Sequence, residues 1–249
     1  MNQTVMISFV VPAYNEEKHL ARTLTAIIDE TRRVGCAAEV IVVNNASTDG
    51  TGALAASFPE VIVVDEPVKG LVQARRAGFE RATGALIANV DADTIVTEGW
   101  LTHVLEQFDR HDDLVALSGP YIYYDVSKST RIAVRAFYVM GYAFYMLNRF
   151  VLRVGSMLQG GNFVVRRAAL EQIGGYNPLF TFYGEDTDLA RRLNEIGAVK
   201  FTFRLPALSS GRRLLEEGLL RIGLRYSINY FWATFRHRPF TDEWIDVRH

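Results

Sequence analysis

A chain of 249 residues, 49% of them apolar, is long enough for one large α/β domain, or a domain with a tail, around a sizeable core. Its formal net charge of −1 argues against a general polyanion binder, so no nucleic-acid partner is expected. The single cysteine, Cys36, excludes an internal disulfide and suits a reducing compartment, and the five histidines lack zinc-ligand spacing. Lysine occurs only at Lys18, Lys69, Lys128 and Lys200, so the positive charge is mostly arginine. That bias suits anionic ligands, although codon bias explains it equally well.

Taken in chain order, the first half alternates apolar β-rich runs with helical patterns. Strands are expected at 5–11, 40–43, 61–64, 85–90 and 114–118, with helices at 16–33, 51–58, 70–82 and 98–110 between them. Continuous apolar strands separated by helices indicate a mostly parallel, Rossmann-like sheet with helices on both faces. In such sheets ligands bind beyond the carboxyl ends of the strands.

Each strand end carries polar residues with two readings. In Pro12-Ala13-Tyr14-Asn15-Glu16-Glu17, Asn15 suits a helix N-cap and the glutamates suit a first turn; the same loop can hold a nucleotide base. The residues Asn44-Asn45-Ala46-Ser47-Thr48-Asp49-Gly50 make a turn, or hydrogen-bond a base edge and ribose. The fourth strand runs into Asp91-Ala92-Asp93, two carboxylates that repel unless a cation such as Mg2+ or Mn2+ joins them. Further on, Gly184-Glu185-Asp186-Thr187-Asp188 opens a helix. Its acids complement the helix dipole, and one of them can act as general base on an acceptor hydroxyl. Before it, Gly160-Gly161-Asn162 permits close backbone approach to a ligand or makes an ordinary turn.

In order and spacing these segments, with Ala74-Arg75-Arg76-Ala77-Gly78 and Ser209-Ser210-Gly211-Arg212-Arg213, resemble the family 2 glycosyltransferases of GT-A fold. The resemblance covers residues 5 to 213. It implies a metal-dependent, inverting transfer of a sugar from a nucleotide diphosphate donor to an acceptor hydroxyl or lipid phosphate, in cell-envelope glycan or glycolipid synthesis. Pro12, Ala13, Tyr14, Glu16, Asn45 and Arg75 would line the nucleotide. Asp91 would lie toward the ribose and Asp93 would bind Mg2+ or Mn2+. Asp186 would be the base, and Glu185, with Gly161 and Asn162, would place a saccharide or lipid-linked acceptor. Arg212 and Arg213 would close over the departing diphosphate. Asn45 stands where the family often has aspartate. It can still accept from a uracil or thymine N–H but lacks the charge that suits guanine's two donors, so a uridine donor is favoured. Some relatives supply a late histidine to the metal, and none lies between His111 and His237 here.

The resemblance implies a GT-A domain at 1–213, with a nucleotide-binding half at 1–119, an acceptor half at 120–213 and a helical extension at 214–249. Within 131–153 an amphipathic helix of about 34 Å is expected, with Arg131, Arg135, Arg149, Arg153 and Tyr138, Tyr142, Tyr145 on one side and Ala136, Phe137, Met140, Phe144, Leu147 and Val151 on the other. It packs its apolar face on the domain, lies on a membrane surface or self-associates. A second helical pattern at 214–235 is expected to pack on the domain. Tryptophans 232 and 244 are candidates for an interface. No secretory leader and no spanning helix are expected, so the location reads as cytoplasmic, with or without attachment to the inner face of the membrane. Two other classes compete. A nucleotidyltransferase calls for a glycine-rich phosphate loop, which 11–17 lacks. A non-catalytic sugar-nucleotide sensor or scaffold has no need of Asp186.

Overall fold

The apolar runs of the first half become strands because their side chains meet helices on both faces. In the computed structural model, which describes residues 6–147 and 157–241, they alternate with helices as their pattern predicts. The order is β1 (Ile7–Ala13), α1 (Leu20–Val34), β2 (Ala38–Asn45), α2 (Thr51–Ala56), β3 (Val61–Glu66), α3 (Leu71–Arg81), β4 (Leu86–Val90), β5 (Thr94–Val96), α4 (Trp100–Arg110) and β6 (Leu114–Ser118). The second half continues with β7 (Tyr121–Tyr123), α5 (Lys128–Leu147), β8 (Asn162–Arg166), α6 (Arg167–Gln172), α7 (Glu185–Asn194), β9 (Ala198–Phe201), β10 (Ala207–Ser209), α8 (Arg212–Glu217) and α9 (Leu219–Arg236).

Seven strands form one sheet in the order β3-β2-β1-β4-β8-β6-β9. All are parallel except β8, which runs antiparallel to both β4 and β6. Alternate residues of β1 face opposite layers. Phe9 and Val11 join the core beneath α1 and α4, while Val10 joins the core beneath α3, α6 and α7. The chain leaves β1 toward β2 on one side, and β4 lies on the other. Ligands of open α/β sheets bind at such a switch point. A three-stranded sheet, β5-β10-β7, stands beside this edge.

Several local expectations change. Asn15 is not a helix N-cap. Its φ is 49°, its side chain reaches Thr48, and α1 begins only at Leu20 after His19. The helical pattern at 214–235 is broken by Gly218, whose φ of 82° ends α8 and starts α9. α5 also packs the other way round from the expected apolar-side contact. Val134, Tyr138 and Tyr145 are buried against Tyr121, Phe201 and Ala207, whereas Phe137, Met140, Phe144 and Leu147 are exposed. The tyrosines can go inward because their hydroxyls find partners. Tyr138 donates to Gln159 at 2.7 Å and accepts from the Tyr121 N–H, and Tyr145 donates to the Val199 carbonyl at 3.1 Å. Arg131 donates to the carbonyls of Tyr123, Tyr124 and Val126, while Arg135 is exposed. Val5, Arg149, Val151, Arg153 and Trp244 lie outside the described residues.

Candidate active site

Beyond the carboxyl ends of β1 and β4 lies a cleft of about 390 Å³, walled by the sheet edge, the β7 strand, α5, α7 and α9. β4 sets the first acids. The Asp91 N–H donates to the Gly161 carbonyl and the Thr94 N–H to the Asp91 carbonyl, a turn that leaves Asp91 and Asp93 lining the cleft. Asp91 accepts from the Tyr121 hydroxyl at 3.1 Å.

α3 contributes Arg75, only 1% exposed. Its guanidinium donates to Glu185 and to the Gly160 carbonyl, and lies 3.5 Å from Asp91. Burial opposes its charge, and Glu185 and Asp91 outweigh that, raising its pKa. α7 presents Glu185 and Asp186 from its first turn, after Gly184 with φ 77°. Burial pushes Glu185 up to about 7 against the pull of Arg75, and burial also raises Asp186. The third acid of that turn, Asp188, is held by Arg191 at 3.2 Å and Arg192 at 2.7 Å and belongs to the scaffold. On the opposite wall Arg212, at the start of α8, pairs with Glu16 and lies 3.0 Å from Asp93. Arg213 stacks over the Phe182 ring and pairs with Glu217 at 3.2 Å.

Most of the expected residues line this cleft, whereas Ala13, Tyr14, Asn45 and Asn162 do not. Asn162 is fully buried behind the cleft. It donates to the carbonyls of Gly119 and Leu205 and accepts from the Trp100 indole at 2.9 Å, so its side chain is engaged within the scaffold. Asn45 donates to the carbonyls of Glu66 and Val68 and accepts from the Gly70 N–H at 2.7 Å. It holds the 66–70 loop, and the uridine expectation leaned on groups that are engaged within the chain. Gly161 does permit a close approach, but to the site itself. A Cβ there would collide with the Asp91 carboxyl and the Tyr121 hydroxyl.

Pro12, Ala13 and Tyr14 line a smaller depression with Asn45, Lys69 and Phe182, and Lys69 sits 3.8 Å from the Tyr14 ring centroid. Lys69, Phe182 and Tyr121 carried no motif in the sequence. The rarity of lysine and the run Tyr121-Ile122-Tyr123-Tyr124 are the signals available there. Among the described residues no group of three or more His, Cys, Asp or Glu side chains gathers to hold a metal. Two hard carboxylates on an open cleft fit Mg2+ or Mn2+ sharing its shell with phosphate and water, and do not fit zinc.

Fold and cleft together define the class: a GT-A-type α/β protein with carboxylates and arginines gathered at its strand ends. The chain belongs to glycosyl transferase family 2, whose family model matches residues 8–174. A second family model, the N-terminal domain of galactosyltransferase, matches residues 151–210. Glycosyltransferase AglE of Haloferax volcanii is 34% identical over 38% of this chain and 33% of its own length. The probable glycosyltransferase YdaM of Bacillus subtilis is 26% identical over 79% of this chain and 48% of its own. The chain thus spans about half or less of the length of these relatives. Among solved structures, the mannosyltransferase PcManGT of Pyrobaculum calidifontis, in complex with GDP-Man and Mn2+, superposes with TM-score 0.68 at 20% identity, over 92% of this chain and 64% of that one. TarS 1-349 of S. aureus superposes with TM-score 0.61 at 16% identity, over 94% and 73%. Both share the fold.

Proposed function

We propose that this chain transfers a sugar from a nucleoside diphosphate donor to an acceptor hydroxyl or lipid phosphate, with inversion at the anomeric carbon. One observation carries the reading: buried Arg75 ties Asp91 to Glu185, so the strand-end acids and the first turn of α7 face one cleft. Complexes of similar folds with GDP-Man and Mn2+, and with UDP-GlcNAc, support it.

The nucleotide lies along Pro12, Ala13, Tyr14 and Glu16, with its base in the depression beside Tyr14. Asp93, with Asp91 beside it, holds Mg2+ or Mn2+, which when bound supplies a positive charge for the diphosphate. Arg212 and Arg213 face the same charge from the opposite wall. Asp186 takes the proton of the acceptor hydroxyl as its oxygen bonds to the anomeric carbon. The bond to the diphosphate oxygen breaks with its electron pair, and the nucleoside diphosphate leaves. Glu185, fixed by Arg75, positions the acceptor, and the whole of 1–213 serves this reaction, with α9 from the 214–249 extension adding a wall. The acceptor enters past Phe137, Met140, Phe144 and Phe231, which suits a glycolipid or envelope glycan precursor.

Replacing Asp186 by Asn removes the base and keeps the shape. Transfer should fall by about 10² to 10⁴-fold, with donor affinity, read by calorimetry, unchanged. Wild-type turnover in this variant overturns the assignment of the base.

A further inference from the structure

An apolar surface extends from the mouth of the cleft along α5 and α9. Leu220, Leu224, Phe231 and Phe235 recur at helical spacing and fall on one line of α9, and they are 89%, 64%, 45% and 55% exposed. On α5, the exposed Ile132, Val139, Met140, Phe144 and Leu147 spread over the half of the helix turned away from the buried tyrosines. Phe144 meets Phe231 edge-on at 6.3 Å and joins the two. Soluble surfaces rarely expose a contiguous apolar patch of this kind without a partner for it.

Charge selects the partner. Neither helix contains an acidic residue, yet together they carry Lys128, Arg131, Arg135, Arg221, Arg225 and Arg236, in a chain whose net charge is −1. Arg225 is paired with Glu217, so the outward charge rests on the exposed Lys128, Arg135, Arg221 and Arg236. A second copy docked by twofold symmetry would set this positive field against itself, which disfavours self-association. No helix among the described residues is long and apolar enough to cross a membrane, so the contact lies in the plane of the surface.

We propose that the exposed faces of α5 and α9 dock together on an anionic phospholipid bilayer, apolar side chains in the headgroup region and cations around them. Phe137, Met140, Phe144 and Phe231 border both this face and the cleft. The cleft then opens toward the lipid, a consequence that rests on the transfer reading, whereas the docking does not.

The test sediments the full chain, without donor or metal, with vesicles of phosphatidylcholine alone and of phosphatidylcholine mixed with phosphatidylglycerol. Binding is expected to the anionic vesicles and to weaken with added salt. The pair Leu220→Asp and Leu224→Asp should lower the partition coefficient at least about tenfold, with the melting temperature retained because both side chains are exposed. The milder Leu220→Gln and Leu224→Gln pair serves if the charged pair unfolds. Absence of binding to anionic vesicles overturns the proposal, as does wild-type binding by a folded variant of either pair. So does a dimer that these substitutions dissociate in a chain that ignores vesicles, because the face then belongs to a second copy. Transfer onto a soluble acceptor, assayed without lipid, reports separately on the reaction.

Discussion

Arg75 is 1% exposed and carries a full charge, held there by Glu185 and Asp91. Removing one partner of such a buried pair strands the other. Arg75→Ala should therefore lower stability by about 3–5 kcal/mol, read by urea unfolding. Arg75→Lys keeps the charge but loses the planar fork that serves Glu185 and the Gly160 carbonyl together, so activity should fall with less loss of stability. Glu185 adds a pH dependence. Its ordinary value is 4.5 and in the folded chain it is about 7, so between these the folded state holds a proton the unfolded chain has released. This contribution is full below about 4.5 and is lost as pH rises through about 7. Unfolding free energy followed over that window should slope downward, and Glu185→Gln should flatten the slope. Gly161→Ala puts a methyl group into Asp91 and Tyr121, and should cost about 1–3 kcal/mol and most of the activity.

At the scale of elements, the position of Arg75 depends on how closely α3 lies on the sheet. A Cβ at Gly78 would collide with Val10 and come within 3.1 Å of Val43. Gly78→Ala should push the helix off β1 and β2, at about 1–3 kcal/mol. It should also reduce transfer although the residue touches no substrate. Wild-type kinetics in a destabilised Gly78→Ala would show that α3 does not set the site. The sequence marked Gly78 as part of a motif, but the reason for it, helix against strand, needed both elements in place. α5 makes the opposite point. Its amphipathic period was legible. Which side went inward was not, because tyrosine is apolar along its ring and polar at its tip and its burial depends on partners elsewhere.

For the whole molecule, the binding reaction itself is the measurable quantity. A ligand present at a hundred times its dissociation constant adds about 2.7 kcal/mol of stability. In a chain of this length each kcal/mol moves the melting temperature by roughly 2–4 °C. A panel of UDP-, GDP- and dTDP-sugars with Mn2+ should single out one donor, the UDP arm being the first to run, and EDTA should remove most of its shift. A donor shift that survives EDTA would show that the donor binds without a metal. No shift with any nucleotide would favour a scaffold over an enzyme.

The alternation of strands and helices, the parallel arrangement of β1 to β4 and the acids at the strand ends were all determined by the sequence alone. Those features follow from local periodicity and from where short polar segments interrupt apolar runs. Tertiary structure decided the rest. It placed β8 between β4 and β6 in the reverse direction, turned Asn162 to the Trp100 indole and away from the cleft, and brought Arg212 to Glu16 from the far end of the domain. It also left the apolar faces of α5 and α9 outward. Each outcome depends on a partner distant in the chain, and a side chain's own neighbours in sequence carry no record of which distant group will satisfy its charge or its hydrogen bonds.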